Sequence, residues 1–81
     1  MVTIDLRLNY LEKIQNCDFK MLNKLTYLKL DHNRIRDIEL NSFIHLNQLI
    51  ELNLNFNLLD FIPNYLFQNI TSLKFLRLAD N

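Results

Sequence analysis

Residues 25–35 read LTYLKLDHNRI and residues 49–59 read LIELNLNFNLL: one phrase, apolar-x-x-apolar-x-Leu-x-x-Asn-x-apolar, set down twice at an interval of 24 residues. The same step carries the asparagine from Asn33 back to Asn9 and forward to Asn57 and Asn81. Apolar columns keep the interval. Met1, Leu25, Leu49 and Leu73 share one, Ile4, Leu28, Leu52 and Leu76 a second, and Leu6, Leu30, Leu54 and Leu78 a third. Four more follow in each complete unit: Leu11, Ile35, Leu59; Ile14, Ile38, Ile62; Phe19, Phe43, Phe67; and Leu22, Leu46, Ile70. Every member is apolar, although only 49% of the chain is, so one structural unit is being repeated. The units are 1–24, 25–48 and 49–72, and 73–81 opens a fourth.

Within a unit, Tyr27-Leu28-Lys29-Leu30-Asp31 alternates polar and apolar with period two, the mark of a strand with one buried face. Strands are expected near residues 3–7, 27–31, 51–55 and 75–79. Each follows a return segment, so neighbouring strands run parallel and build one in-register sheet on the concave side of an arc. The asparagine column lies where the chain turns inward after the strand. A buried asparagine offers two donors and an acceptor to backbone groups left unpaired by the bend, so Asn9, Asn33, Asn57 and Asn81 read as a structural ladder. With no glycine and one proline in the chain, asparagine is also expected to serve at tight bends. The phenylalanine column fills the convex side, each ring contributing roughly 1.5–3 kcal/mol on burial.

These phrases resemble the leucine-rich repeat signature L-x-x-L-x-L-x-x-N-x-L. IPNYLFQNI, residues 62–70, is similar to the L-P-x-x-x-F-x-x-L second half of the 24-residue subclass usual in Toll-like receptor ectodomains, small leucine-rich proteoglycans and cell-adhesion proteins. The resemblance covers the whole chain. It implies an α/β solenoid: a horseshoe segment with a concave parallel sheet and irregular or short helical convex segments. Repeat arrays need polar terminal caps. The first unit presents Leu6, Leu11, Ile14 and Phe19 with nothing before them, and the last unit stops at Asn81. The expectation is an uncapped internal piece of a longer solenoid, with self-association through the ends as the alternative.

Composition narrows the function. Nine basic and nine acidic residues leave no electrostatic footprint for a nucleic acid or an anionic membrane. No apolar run is long enough to insert in a bilayer. Met1-Val2-Thr3-Ile4 already belongs to the first strand, so signal peptide and anchor are expected outside this chain. Catalytic, cofactor and metal sites are expected to be absent. His32 and His45 fall in different columns, on opposite walls, and cannot form a dyad or share a metal. A phosphate-binding glycine loop needs glycine. Asp31 and His32 are adjacent, which along a strand points them to opposite faces. Cys17 is a lone thiol at a variable position and reads as incidental surface.

Outward strand positions form columns of their own: Thr3, Tyr27, Glu51, Phe75; Asp5, Lys29, Asn53, Arg77; Arg7, Asp31, Asn55, Ala79; and, just past the strand, Leu8, His32, Phe56, Asp80. Asp5 beside Lys29 and Arg7 beside Asp31 read as solvated cross-strand pairs of small energy. Tyr27, Glu51, Asn53, Phe56, Phe75 and Arg77 are the candidate protein-binding residues, since aromatics and arginine carry interface energy; ordinary exposed surface is the competing reading. Asn69-Ile70-Thr71 is an N-glycosylation sequon on the convex side. The expected function is protein recognition by an extracellular receptor or adhesion ectodomain, with a protein ligand on the concave face. A structural spacer or matrix scaffold with its ligand site elsewhere, or an intracellular leucine-rich regulatory subunit, are the alternatives.

Overall fold

The structure, a computed structural model, describes residues 1–81. Its elements are six strands: β1 (Thr3–Asp5), β2 (Lys13–Ile14), β3 (Tyr27–Lys29), β4 (Asp37–Ile38), β5 (Glu51–Asn53) and β6 (Phe75–Arg77). Four of them make one parallel sheet in the order β1-β3-β5-β6. The register follows the sequence interval, with Ile4 opposite Leu28, Leu28 opposite Leu52, and Leu52 opposite Leu76. A slip of one residue would swing Leu28 and Leu52 into water, so the apolar alternation fixes the pairing.

The strands end two residues earlier than the alternation suggests, yet their hydrogen bonding runs on. Leu30 N–H donates to Asn53 C=O at 2.9 Å and His32 N–H to Asn55 C=O at 3.1 Å. Regular strand geometry is lost because Leu8, His32, Phe56 and Asp80 have φ near +55° to +60°. None of these left-handed residues is an asparagine, so the expected substitution of asparagine for glycine at tight bends does not hold. At three of them, Leu8, His32 and Phe56, a larger side chain takes the bend at a cost of about 1–2 kcal/mol each, which packing on both sides of the bend must offset.

The asparagines point inward instead. Asn57 Nδ2 donates to the carbonyls of Leu30 (3.0 Å), Leu54 (3.1 Å) and Asn55 (3.3 Å), while its Oδ1 accepts from Ile35 N–H at 3.0 Å. Asn33 binds Leu6, Leu30 and Asp31 carbonyls and Leu11 N–H in the same way. Asn81 does so with Leu54, Leu78, Ala79 and Leu59. Asn9 reaches only the carbonyls of Leu6 and Arg7 in its own unit and is exposed. Each complete set ties a unit to the one before it, which a side chain confined to its own turn could not do.

No helix forms on the far wall, so the helical half of the expected α/β class gives way to a string of three-residue-spaced turns. In the middle unit Ser42 N–H donates to Glu39 C=O, Leu46 to Phe43, and Leu49 to Leu46, at 3.1–3.3 Å. The same spacing recurs in the units on either side. A second parallel pair, β2 with β4, sets Lys13 opposite Asp37 and Ile14 opposite Ile38. It stops there for a chemical reason. Glu39 N–H donates to Ile14 C=O at 2.9 Å, and the position 24 residues on is Pro63, which has no N–H to give.

The core lies between sheet and turn wall. Leu28, Leu30, Ile35, Phe43, Leu46, Leu49, Leu52 and Leu54 are wholly buried. Phe43 stacks between Phe19 and Phe67 with ring centroids 6.0 and 6.2 Å away and planes within 16°. Leu66 joins the core from a column that holds Asp18 and Ser42 in the other units. Ser42 is buried because its hydroxyl donates to Glu39 C=O at 2.7 Å. Met1, placed by column with Leu25 and Leu49, is exposed.

Candidate protein-binding face

Alternation that buries Leu28 and Leu52 necessarily turns their neighbours to the other side of the sheet. Register then sets Thr3, Tyr27, Glu51 and Phe75 in one row and Asp5, Lys29, Asn53 and Arg77 in the next. Tyr27, Glu51 and Asn53 are half-buried by their neighbours, whereas Phe75 is 51% exposed. The Arg77 guanidinium sits 5.9 Å from the centre of the Phe75 ring and 3.5 Å from Glu51 Oε1. Glu51 and Arg77 therefore have each other, a cross-strand pair that is long and solvated and holds them weakly. Asn53 Oδ1 accepts from Asn55 N–H at 3.0 Å, which commits its oxygen to the backbone of its own unit.

Asp5 and Arg7 do not pair across the sheet as expected. Arg7 folds back along its own chain, giving Nε to Asp5 Oδ1 at 2.9 Å and Nη2 to Oδ2 at 2.8 Å, with its backbone N–H on Oδ1 as well. The local fork wins because one bend satisfies three donors, and Lys29 and Asp31 act on the pair only through the longer-range field. Side-chain and then backbone hydrogen bonds from Arg7 lower the Asp5 carboxyl from 3.8 to about 2. Because the folded value lies below the unfolded one, the contribution is present above the ordinary carboxylate range and lost as pH falls through about 2. Nuclear magnetic resonance titration should find Asp5 still ionised at pH about 3, and Arg7→Ala should return it to the ordinary range.

At the rim the left-handed bend gives a second departure. Asp31 and His32 do not point to opposite faces, since His32 is no longer in a strand: Nδ1 lies 2.8 Å from Asp31 Oδ2. Asp31 is buried and its Oδ1 has no protein partner. The imidazole in turn stacks on Phe56, centroids 4.5 Å apart at 22°. Phe56 is 48% exposed and is thereby held as a ridge beside the sheet. Beyond the ladder, Arg34 lies over the Tyr10 ring at 4.6 Å, a neighbour to this rim that column reading missed. The signal was available in the 24-residue step, which makes Tyr10, Arg34 and Leu58 one column.

His45 lies across the core from His32, in a groove of the turn wall with Lys20, Met21, Asn23, Ile44 and Asn47. Asn69 and Thr71 are exposed on the same wall, and Cys17 is an exposed free thiol. No cluster of His, Cys, Asp and Glu is arranged to hold a metal ion. An apolar groove at the β6 end is lined by Leu59, Phe61, Ile62 and Leu78. No helix is long and apolar enough to cross a membrane.

A parallel sheet repeated every 24 residues, with an inward asparagine at each turn, defines a class, and comparison with known proteins agrees with it. The leucine rich repeat profile matches residues 23–81, and the chain belongs to the leucine-rich repeat family. It is also similar to Toll-like receptor 10 of Bos taurus, at 38% identity over 55 residues. That alignment covers 68% of this chain and 7% of the receptor.

Proposed function

We propose that this chain is a protein-recognition segment of an extracellular receptor or adhesion ectodomain that docks its partner on the outer, concave face of the four-stranded sheet. One observation carries the reading: Tyr27, Phe75 and Arg77 stand on that face, with Phe56 at its rim, while the apolar columns spend themselves on the opposite side. Similarity to a Toll-like receptor supports the extracellular setting. The mechanism is presentation on a rigid frame. Side chains fixed by register and stacking before contact lose little conformational freedom on binding. Arg77 over Phe75 and His32 on Phe56 hold the planar groups that carry most energy in such contacts.

A displayed library of secreted and cell-surface ectodomains, screened against the chain, tests this. Hits should weaken by about 1 kcal/mol or more with each of Tyr27→Ala, Phe75→Ala and Arg77→Ala, roughly five- to tenfold in Kd. Lys20→Ala and Gln68→Ala on the turn wall should leave Kd unchanged. Sensitivity confined to the wall assigns recognition to that side. Indifference to both sets makes these units a spacer.

A further inference from the structure

We propose that Asn69 is an N-glycan acceptor, and that its glycan covers the turn wall so that protein contacts are directed to the sheet face. The proposal rests on the extracellular reading above. Of the asparagines in the chain, Asn69 alone is followed two places on by a hydroxyl residue, Thr71, with Ile70 between them. The structure adds what the motif cannot. Ile70 is 3% exposed and anchors the turn, its N–H on Phe67 C=O at 3.2 Å and its carbonyl accepting from Leu73 N–H at 3.1 Å. With Ile70 pinned inward, Asn69 and Thr71 are both turned out to solvent.

Neither side chain is needed by the fold. The amides of Asn33, Asn57 and Asn81 are committed to the ladder, but the Asn69 side chain makes no hydrogen bond to protein. The adjacent Ser72 hydroxyl is committed to Leu49 C=O at 2.7 Å, while that of Thr71 is free. The positions one and two units earlier in the same column, His45 and Met21, are exposed as well, Met21 at 81%. The column is exposed in all three units, including the two that have a following unit stacked against them, so a branched oligosaccharide at Asn69 displaces no part of the chain. Phe67, two residues before Asn69, is half-buried against Phe43, so the wall under the sugar stays anchored to the core.

The transfer needs a lipid-diphosphate-linked oligosaccharide as donor. Asn69 Nδ2 forms a bond to C1 of the first N-acetylhexosamine and loses one proton. The bond from C1 to the diphosphate oxygen breaks, and the lipid diphosphate leaves.

The test expresses the full chain behind a secretory signal peptide and reads mass in the intracellular and secreted pools together, so that slow export hides nothing. One glycan should be present, released by peptide N-glycosidase with conversion of Asn69 to aspartate. It should disappear in Asn69→Gln and in Thr71→Ala, and persist in Thr71→Ser. Folded chain with Asn69 unmodified in both pools overturns the proposal and leaves sheet-face recognition standing. A glycosylated chain whose library hits ignore Tyr27, Phe75 and Arg77 keeps the glycan and sinks the recognition reading instead.

Discussion

Phe43→Ala should lower the stability of the chain by about 3–5 kcal/mol, a loss comparable with the whole stability of a small domain. Phe43 is wholly buried in the middle unit and stacks on both sides, on Phe19 and on Phe67. Removing its ring leaves a cavity that neighbours in two other units cannot close without breaking their own turns, so relaxation offsets little. Equilibrium urea unfolding followed by circular dichroism should show the midpoint collapse or the native baseline vanish. Phe19→Ala and Phe67→Ala should cost less, because each ring has a single aromatic neighbour in the column and Phe67 is only half-buried. An unchanged midpoint in Phe43→Ala would mean that the phenylalanine stack is not core.

The second large effect is at Asn57, and here the isosteric change is the informative one. Three carbonyls, of Leu30, Leu54 and Asn55, converge on its amide, while Ile35 N–H points at its oxygen. Asn57→Asp keeps shape and the acceptor for Ile35 but turns a carboxylate on three carbonyl oxygens in a buried site. Asn57→Leu keeps burial but strands the Ile35 N–H, whose sole protein acceptor is Asn57. Each buried polar group left without a partner costs about 1–3 kcal/mol, and more if charged. Both variants should therefore unfold at lower urea, with aspartate at least as damaging as leucine and worse at neutral than at acidic pH. The same exchange at exposed Asn9, which binds only its own unit, should cost much less. Equal effects at Asn9 and Asn57 would remove the inter-unit role of the ladder.

Columns of leucine and isoleucine disclosed the parallel sheet and its register because burial acts on every unit alike and repeats at the same interval. Leu28 and Leu52 could only face inward together. What the columns could not disclose depends on single bonds. Left-handed bends at Leu8, His32 and Phe56 carry no glycine to announce them, and from that hidden bend follow both the shortened strands and the Asp31–His32 contact. Arg7 pairs along its chain because Asp5 also captures the Arg7 N–H, a local geometry that cross-strand proximity does not encode. The loss of the second sheet at Pro63 is written in the sequence, but only once Glu39 N–H is seen to be a donor. On the candidate face, the outward columns identify the residues, and the contacts of Arg77 with Phe75 and Glu51 become visible only with side chains in place.

Hydroxyl-radical footprinting of the chain, alone and saturated with an ectodomain hit from the library, tests the central claim most directly, because oxidisable residues report from both walls. Tyr27, Phe56 and Phe75 lie on or beside the outer face of the sheet; Met21 at 81% and Tyr65 at 74% exposure lie on the turn wall. Docking on the sheet face predicts that oxidation of Tyr27, Phe56 and Phe75 falls on binding while Met21 and Tyr65 react as before. Protection of Met21 and Tyr65 with the three sheet-side rings unchanged would contradict it.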